Sequence, residues 1–346
     1  MIGYIGSRTT KERKAQGEGI TVYRRENGTW QKIQTVSCGD NPSYLCFNKA
    51  QDRLYAIHGD GSTVTAFAVD TAGMLQKLNT VSTYGTNPVH LAVSPNGKSI
   101  YVANLETGSL AVLGICEDGT LGGVKQVVFI PGKPAHGYIS HPHQVCLHPD
   151  GKWLLVPCQG RDHGVGKVVV YAIDPLDNHL EKRFVWTVRP GAEPRHIAVH
   201  PNGQWVYLVN EKDSTVIYFH FDQTTGALQP VQLLSTLPDT YFGAGWASGI
   251  VMEPQGKFVY VSNRTHDSLT SYSIHPDTGR LQFLQNIPSG GVQPRFLEMG
   301  AEGNSIVAAN ELSHNVVFFT MQQDGSLTQE KTQIQTGSPV CVIWKA

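Results

Sequence analysis

Arg195 and Glu211 stand out in the stretch Ala192 to Phe221, where most other residues read as strand and turn. A guanidinium offers planar, charge-assisted donors that suit a carboxylate, a phosphate or the oxyanion of an ester under attack. A carboxylate or an imidazole can take a proton from water when its pKa is tuned towards neutrality. His143, Arg264, Arg295 and Glu311 occupy corresponding places elsewhere in the chain, and the fold must explain how such residues could meet.

The elements between the pair supply the explanation. His196 to His200 carries alternating apolar residues, Pro201-Asn202-Gly203 is a turn, and Trp205 to Val209 is a second strand. A further turn, Asn210 to Ser214, leads into the β-branched and aromatic run Thr215 to Phe221. Arg195 therefore precedes one strand and Glu211 follows the next. Equivalent turns occur at Pro95-Asn96-Gly97, Pro149-Asp150-Gly151, Pro254-Gln255-Gly256 and Ala301-Glu302-Gly303, with a degenerate version at Lys49-Ala50-Gln51. Nine residues before each turn's last residue stands Pro42, Pro88, Pro142, Pro194 or Pro294, with Ala247 the exception. Four residues after it comes Tyr55, Tyr101, Leu155, Tyr207, Tyr260 or Val307.

Six copies about fifty residues apart, each with four short strands, predict an all-β protein of the β-propeller type. The ends supply a seventh blade. Ser338 to Trp344 reads as its first strand, Ile2 to Ser7 as its second, and Ile20 to Arg24 and Trp30 to Ser37 as its third and fourth. One ring of seven four-stranded antiparallel blades, the last closed by N- and C-terminal strands, then uses residues 1–346 as a single domain. Closure removes the sheet edges that invite aggregation.

Ring geometry converts the flagged positions into a site. Strand one of each blade lines the channel, and its start lies on the same face as the end of strand two. One mouth therefore collects Ser43, Val89, His143, Arg195, Ser248, Arg295 and Val340 from the first position. It collects Gly59, Leu105, Gln159, Glu211, Arg264, Glu311 and Arg8 from the second. An Arg–Glu pair in one blade could simply brace the ring, but bracing would be expected in every blade, and these charges gather in blades three to six with Arg8 in the closing blade. The loops Pro131 to His141 and Leu237 to Trp246 flank that sector and are expected to roof it. An off-centre, anion-friendly pocket follows.

The bulk numbers limit the alternatives. Lys and Arg total 27 against 28 for Asp and Glu, so no broad field for nucleic acid or an anionic membrane is expected. The N-terminus lacks a signal-peptide pattern, no apolar run approaches membrane-spanning length, and the six cysteines are scattered; a cytoplasmic location is the simplest expectation. His136, His141 and His143 invite a metal reading, but spacings of five and two match no standard zinc pattern, so neither metal nor cofactor is expected.

Ser140-His141-Pro142-His143, Pro194-Arg195-His196, Val209-Asn210-Glu211, Val261-Ser262-Asn263-Arg264, Gln293-Pro294-Arg295 and Ala309-Asn310-Glu311 together resemble the seven-bladed propeller lactonase family. That family includes a bacterial type of 6-phosphogluconolactonase and the fungal carboxy-cis,cis-muconate lactonizing enzymes. The resemblance implies a channel-mouth site whose catalytic residues are His143, Arg195, Glu211 and Arg264, with either His143 or Glu211 as base. The remaining charged or polar mouth residues, Arg8, Gln159, Arg161, Arg295 and Glu311, are expected to bind substrate. Where the family often has Asp-Leu-Gly-x-Asp, this chain has Cys158-Gln159-Gly160-Arg161-Asp162, which tilts the mouth further towards anions. The expected activity is metal-independent hydrolysis of a sugar-derived lactone, with 6-phosphogluconolactone as one candidate. The alternatives are a muconate-type cycloisomerase acting on a dicarboxylate and a non-catalytic binding propeller.

Overall fold

A computed structural model describes residues 1–133, 136–161 and 163–345. Seven antiparallel sheets form the ring, and each blade's innermost strand packs against those of its neighbours. In the fourth blade the strands are Pro194–Val199, Trp205–Asn210, Thr215–Phe221 and Leu228–Ser235, running from the channel outwards. The closing blade pairs Pro339–Lys345 with Ile2–Ser7, placing Ile5 opposite Val342, and continues through Ile20–Glu26 and Thr29–Val36. The third blade differs from the rest. Its inner strand is broken into His141–Pro142 and Cys146–Leu147, which leaves His143 between two ladder segments.

Second strands are buried on both faces because adjacent blades sandwich them, as Val206, Tyr207, Leu208 and Val209 show. Outer strands alternate between exposed and half-buried residues, the pattern of a sheet with one wet face. The repeated tyrosine also links blades. The hydroxyls of Tyr4, Tyr55, Tyr207 and Tyr260 donate to the carbonyls of Gly73, Gly119, Gly279 and Gly325, each in the outer hairpin of the next blade. Those glycines lie at φ of 80°, 85°, 69° and 83°, a region that favours glycine. The third blade has Asn178 at the matching place, and the Tyr101 hydroxyl has no partner.

Candidate active site

One backbone device aligns the mouth. In six blades the residue after strand two donates its N–H to the carbonyl of the residue before strand one. The pairs are Arg8 to Ser338, Gly59 to Asn41, Leu105 to Asn87, Glu211 to Glu193, Arg264 to Trp246, and Glu311 to Gln293. Asn41, Asn87, Glu193, Gln293 and Ser338 all adopt φ between 42° and 62°, each immediately before a proline. Their side chains then serve the neighbouring mouth loops: Glu193 accepts from the Arg161 N–H, and Gln293 donates to Glu311. Arg195 belongs to the strand instead of preceding it. The ladder shifts register between Pro194 and His196, so Arg195 is the bulged residue. The bulge re-aims its side chain out of the ladder's alternation.

Glu211 is the hub. Its Oε2 accepts from Gln159 Nε2 at 2.8 Å and its Oε1 from Trp246 Nε1 at 2.6 Å. Arg195 Nε lies 3.2 Å from Oε2, and Arg264 Nη2 lies 3.2 Å from Oε1. The Arg195 contact is ionic without hydrogen-bond alignment, since Arg195 Nε has no hydrogen-bond partner; Arg264 Nε, which does not take part in its contact, is also unpartnered. The better-aligned guanidinium bonds go to backbone: Arg195 Nη1 to Ser248 O at 2.7 Å and Arg264 Nη2 to Ala247 O at 2.9 Å. Arg264 also stacks on Trp246, its Cζ 4.1 Å from the ring centroid.

These neighbours decide protonation. Burial opposes the charge of Glu211, but Arg264 and Arg195 outweigh it and hold the carboxyl well below the usual range. Burial, reinforced by Arg264, lowers Arg195 well below its ordinary value, an unfavourable setting that a bound anion would relieve. Burial followed by Arg195 also pushes His143 well below an ordinary histidine, so its imidazole is neutral. His90, driven down to about 3 by burial and then Arg195, and His196, lowered by burial and Arg195, are neutral too. The three rings pack in a row, with centroids 5.9 Å apart from His90 to His196 and 5.3 Å from His196 to His143. His143 Nδ1 is buried without a partner.

Arg8, His143, Arg195 and Arg295 line one cavity of ≈ 30 Å³, with Ser43 and Tyr44 among the other walls. Glu311 stands behind Arg295, with 3.5 Å between Oε2 and Arg295 Nη1. Burial opposes its charge too, yet Arg295 helps keep its carboxyl low.

Arg161 lies apart from that wall. It occupies a turn at φ 49°, and its Nη1 bonds Glu106 at the rim at 2.8 Å. His136 stacks on Tyr138 and His141 Nδ1 faces the Leu105 carbonyl; among the described residues no three His, Cys, Asp or Glu side chains gather as metal ligands. Asp162, one end of the family-motif comparison, lies outside the described residues, as do Pro134 and Ala135 of the first loop. The second loop delivers Trp246 to Glu211, while Phe242 at its tip is 95% exposed. Sequence reasoning missed Trp246. Its signal was its place: it precedes the fifth blade's first strand as Glu193 and Gln293 precede theirs.

Fold and site together define a seven-bladed β-propeller with a guanidinium-rich channel mouth built around one clamped carboxylate. The family described as Lactonase, 7-bladed beta-propeller matches residues 2–344, and the chain belongs to it. A 6-phosphogluconolactonase of Bacillus subtilis is 29% identical over 350 residues, covering 99% of this chain and 97% of that protein. A 6-phosphogluconolactonase of Serratia proteamaculans is 27% identical and covers 87% of each chain. A solved structure of a Pseudomonas aeruginosa periplasmic gluconolactonase superposes with a TM-score of 0.89 at 27% identity, covering 100% of this chain and 99% of that one.

Proposed function

We propose that this protein hydrolyses a sugar-derived lactone at the channel mouth, with 6-phosphogluconolactone the first substrate to test. The observation that carries the proposal is the neutral His143, its Nδ1 unpartnered, lining the same cavity as the under-neutralised Arg195. Family membership supports the ester chemistry, and the names of the relatives leave open whether the sugar carries a phosphate.

Water attacks the lactone carbonyl and His143 takes its proton. The C–O bond of the ring ester then breaks, the ring oxygen receives that proton, and an open-chain hydroxy acid leaves. Glu211 is the poorer candidate for base because four donors occupy its two carboxylate oxygens, whereas His143 Nδ1 has no partner. The role of Glu211 is to fix the two arginines and stabilise the imidazolium as it forms. Arg195 and Arg264 present donors to the oxyanion of the tetrahedral intermediate.

A pH-indicator screen of gluconolactone, 6-phosphogluconolactone and muconolactones tests the reading. Turnover of a sugar lactone that collapses in His143→Asn is expected. A fully active His143→Asn enzyme would remove the base assignment, and no turnover of any lactone would remove the function. We also infer the cytoplasm as its compartment, supported by six free cysteines; recovery in the periplasmic fraction of a host would refute that.

A further inference from the structure

The hydrolytic scheme leaves one buried cation unused. Arg8 follows the closing blade's second strand, its side chain only 4% exposed, and its Nε and Nη1 have no hydrogen-bond partner. The nearest carboxylate oxygen, Asp60 Oδ2, is 3.5 Å from Nη1. That oxygen already accepts from Arg13 Nε at 2.8 Å and Asn41 Nδ2 at 3.0 Å, while Arg13 Nη2 holds the other oxygen. Burial, with Arg295 adding to it, brings Arg8 down to about 9, and Asp60 only partly opposes this. A buried guanidinium so weakly compensated is costly unless something else neutralises it.

The chain keeps space for this side chain. Gly59 holds the mouth position that carries Glu211 and Glu311 in other blades. A Cβ there would lie 2.5 Å from Arg8 Nη1 and 2.7 Å from Ser43 Oγ. Arg8, Ser43 and Arg295 face the same cavity as Arg195 and His143, and no carboxylate is in its wall. Glu311, behind Arg295, is engaged by the Gln293 amide at 2.8 Å.

We propose that Arg8, Arg295 and the Ser43 hydroxyl form a subsite for a compact dianion of the phosphomonoester type, beside the Arg195–His143 end of the cavity. Two guanidinium groups with no carboxylate in the wall present two positive charges that a dianion neutralises and a single carboxylate does not, and the hydroxyl adds a donor for a third phosphoryl oxygen. The subsite rests on the lactonase reading only for the ring to which the phosphoryl group is attached.

Calorimetric titration with inorganic phosphate and, separately, with acetate tests it at pH 7.5. Phosphate is expected to bind at least tenfold more tightly than acetate, and Arg8→Gln to weaken phosphate at least tenfold. Should that variant fail to fold, the exposed substitution Arg13→Ala decides in its place: it frees Asp60 to pair with Arg8 and is expected to weaken phosphate similarly. Equal binding of acetate and phosphate, or phosphate binding indifferent to the deciding variant, overturns the subsite. Because the readout is binding, Arg8-dependent phosphate binding without any lactone turnover would sink the proposed function and leave the subsite standing. An active lactonase whose phosphate binding ignores Arg8 would do the reverse.

Discussion

Trp246 holds Glu211 by the edge of its indole, through a 2.6 Å N–H bond, and carries Arg264 on its face. One side chain thereby fixes both members of an ion pair. Trp246→Phe should keep the platform and lose the donor, whereas Trp246→Ala loses both. Lactone kcat/KM is expected to fall about tenfold for Phe, in line with loss of a hydrogen bond to a charged group worth ~1.5 kcal/mol, and further for Ala. Equal rates for the two variants would show that the ring face contributes nothing, and wild-type rates in both would show that the indole serves neither residue.

Glu211→Gln leaves the Arg195 and Arg264 guanidinium groups buried without their shared counter-charge. Removing one partner of a buried pair typically costs about 3–5 kcal/mol, so urea denaturation should show a loss of that order. Arg195→Ala should lower kcat/KM by roughly 10²–10³, the usual effect of losing one oxyanion donor. Arg195→Lys should recover little, because an ammonium lacks the planar fork. Near-normal turnover in Arg195→Ala would exclude it from the reaction.

Acid should destabilise the fold through the channel histidines. His90, His143 and His196 all have folded pKa values below the unfolded 6.5, so the unfolded chain binds more protons once pH falls under 6.5. Glu298 offsets one proton: burial raises its carboxyl to about 7, so it binds a proton in the folded state first. His58 and His141, also lowered by burial, add to the proton uptake on unfolding, while His179, raised by its bond to Asp177, subtracts from it. A net uptake predicts a loss of stability that begins as pH falls through about 6.5 and steepens towards about pH 5.5. Urea midpoints between pH 7.5 and 5 measure this, and a flat profile would mean the rings are not buried neutral. Activity should persist below the ordinary histidine range, because His143 remains neutral there.

Tyr207→Phe and Tyr101→Phe should part company. Tyr207 donates to Gly279 O at 2.7 Å, so its variant strands a carbonyl and is expected to cost about 1–3 kcal/mol. Tyr101 has no partner to lose, so its variant should be neutral or slightly stabilising. Equal losses in thermal or urea unfolding would show that these hydroxyls do not link the blades.

The repeat made the ring legible, because proline, turn and tyrosine recur in register and the two ends complete the missing blade. It also made Arg195 and Glu211 legible, since positions at the two ends of one hairpin must share a face. Trp246 escaped because the fifth blade lacks the proline that marks the entry to strand one, and an aromatic there looked like loop. Arg161 was legible as a mouth residue but its partners were not: a left-handed turn sets its Nη1 on Glu106 at the rim and leaves its Nε 3.5 Å from Gln159 Oε1. The neutral state of His143 depends on burial beside Arg195, a relationship between blades that no local spacing encodes.

Arg8 is placed by the bond from its N–H to Ser338 O and by a strand that pairs with Pro339–Lys345. It precedes Ser338 by about 330 residues, so the ribosome makes Arg8 long before the partners that hold it. Until residues 339–345 emerge and dock, a nascent chain can stack the other blades but has no anchored Arg8. Synthesis order therefore makes the earliest mouth residue the final one to take its position.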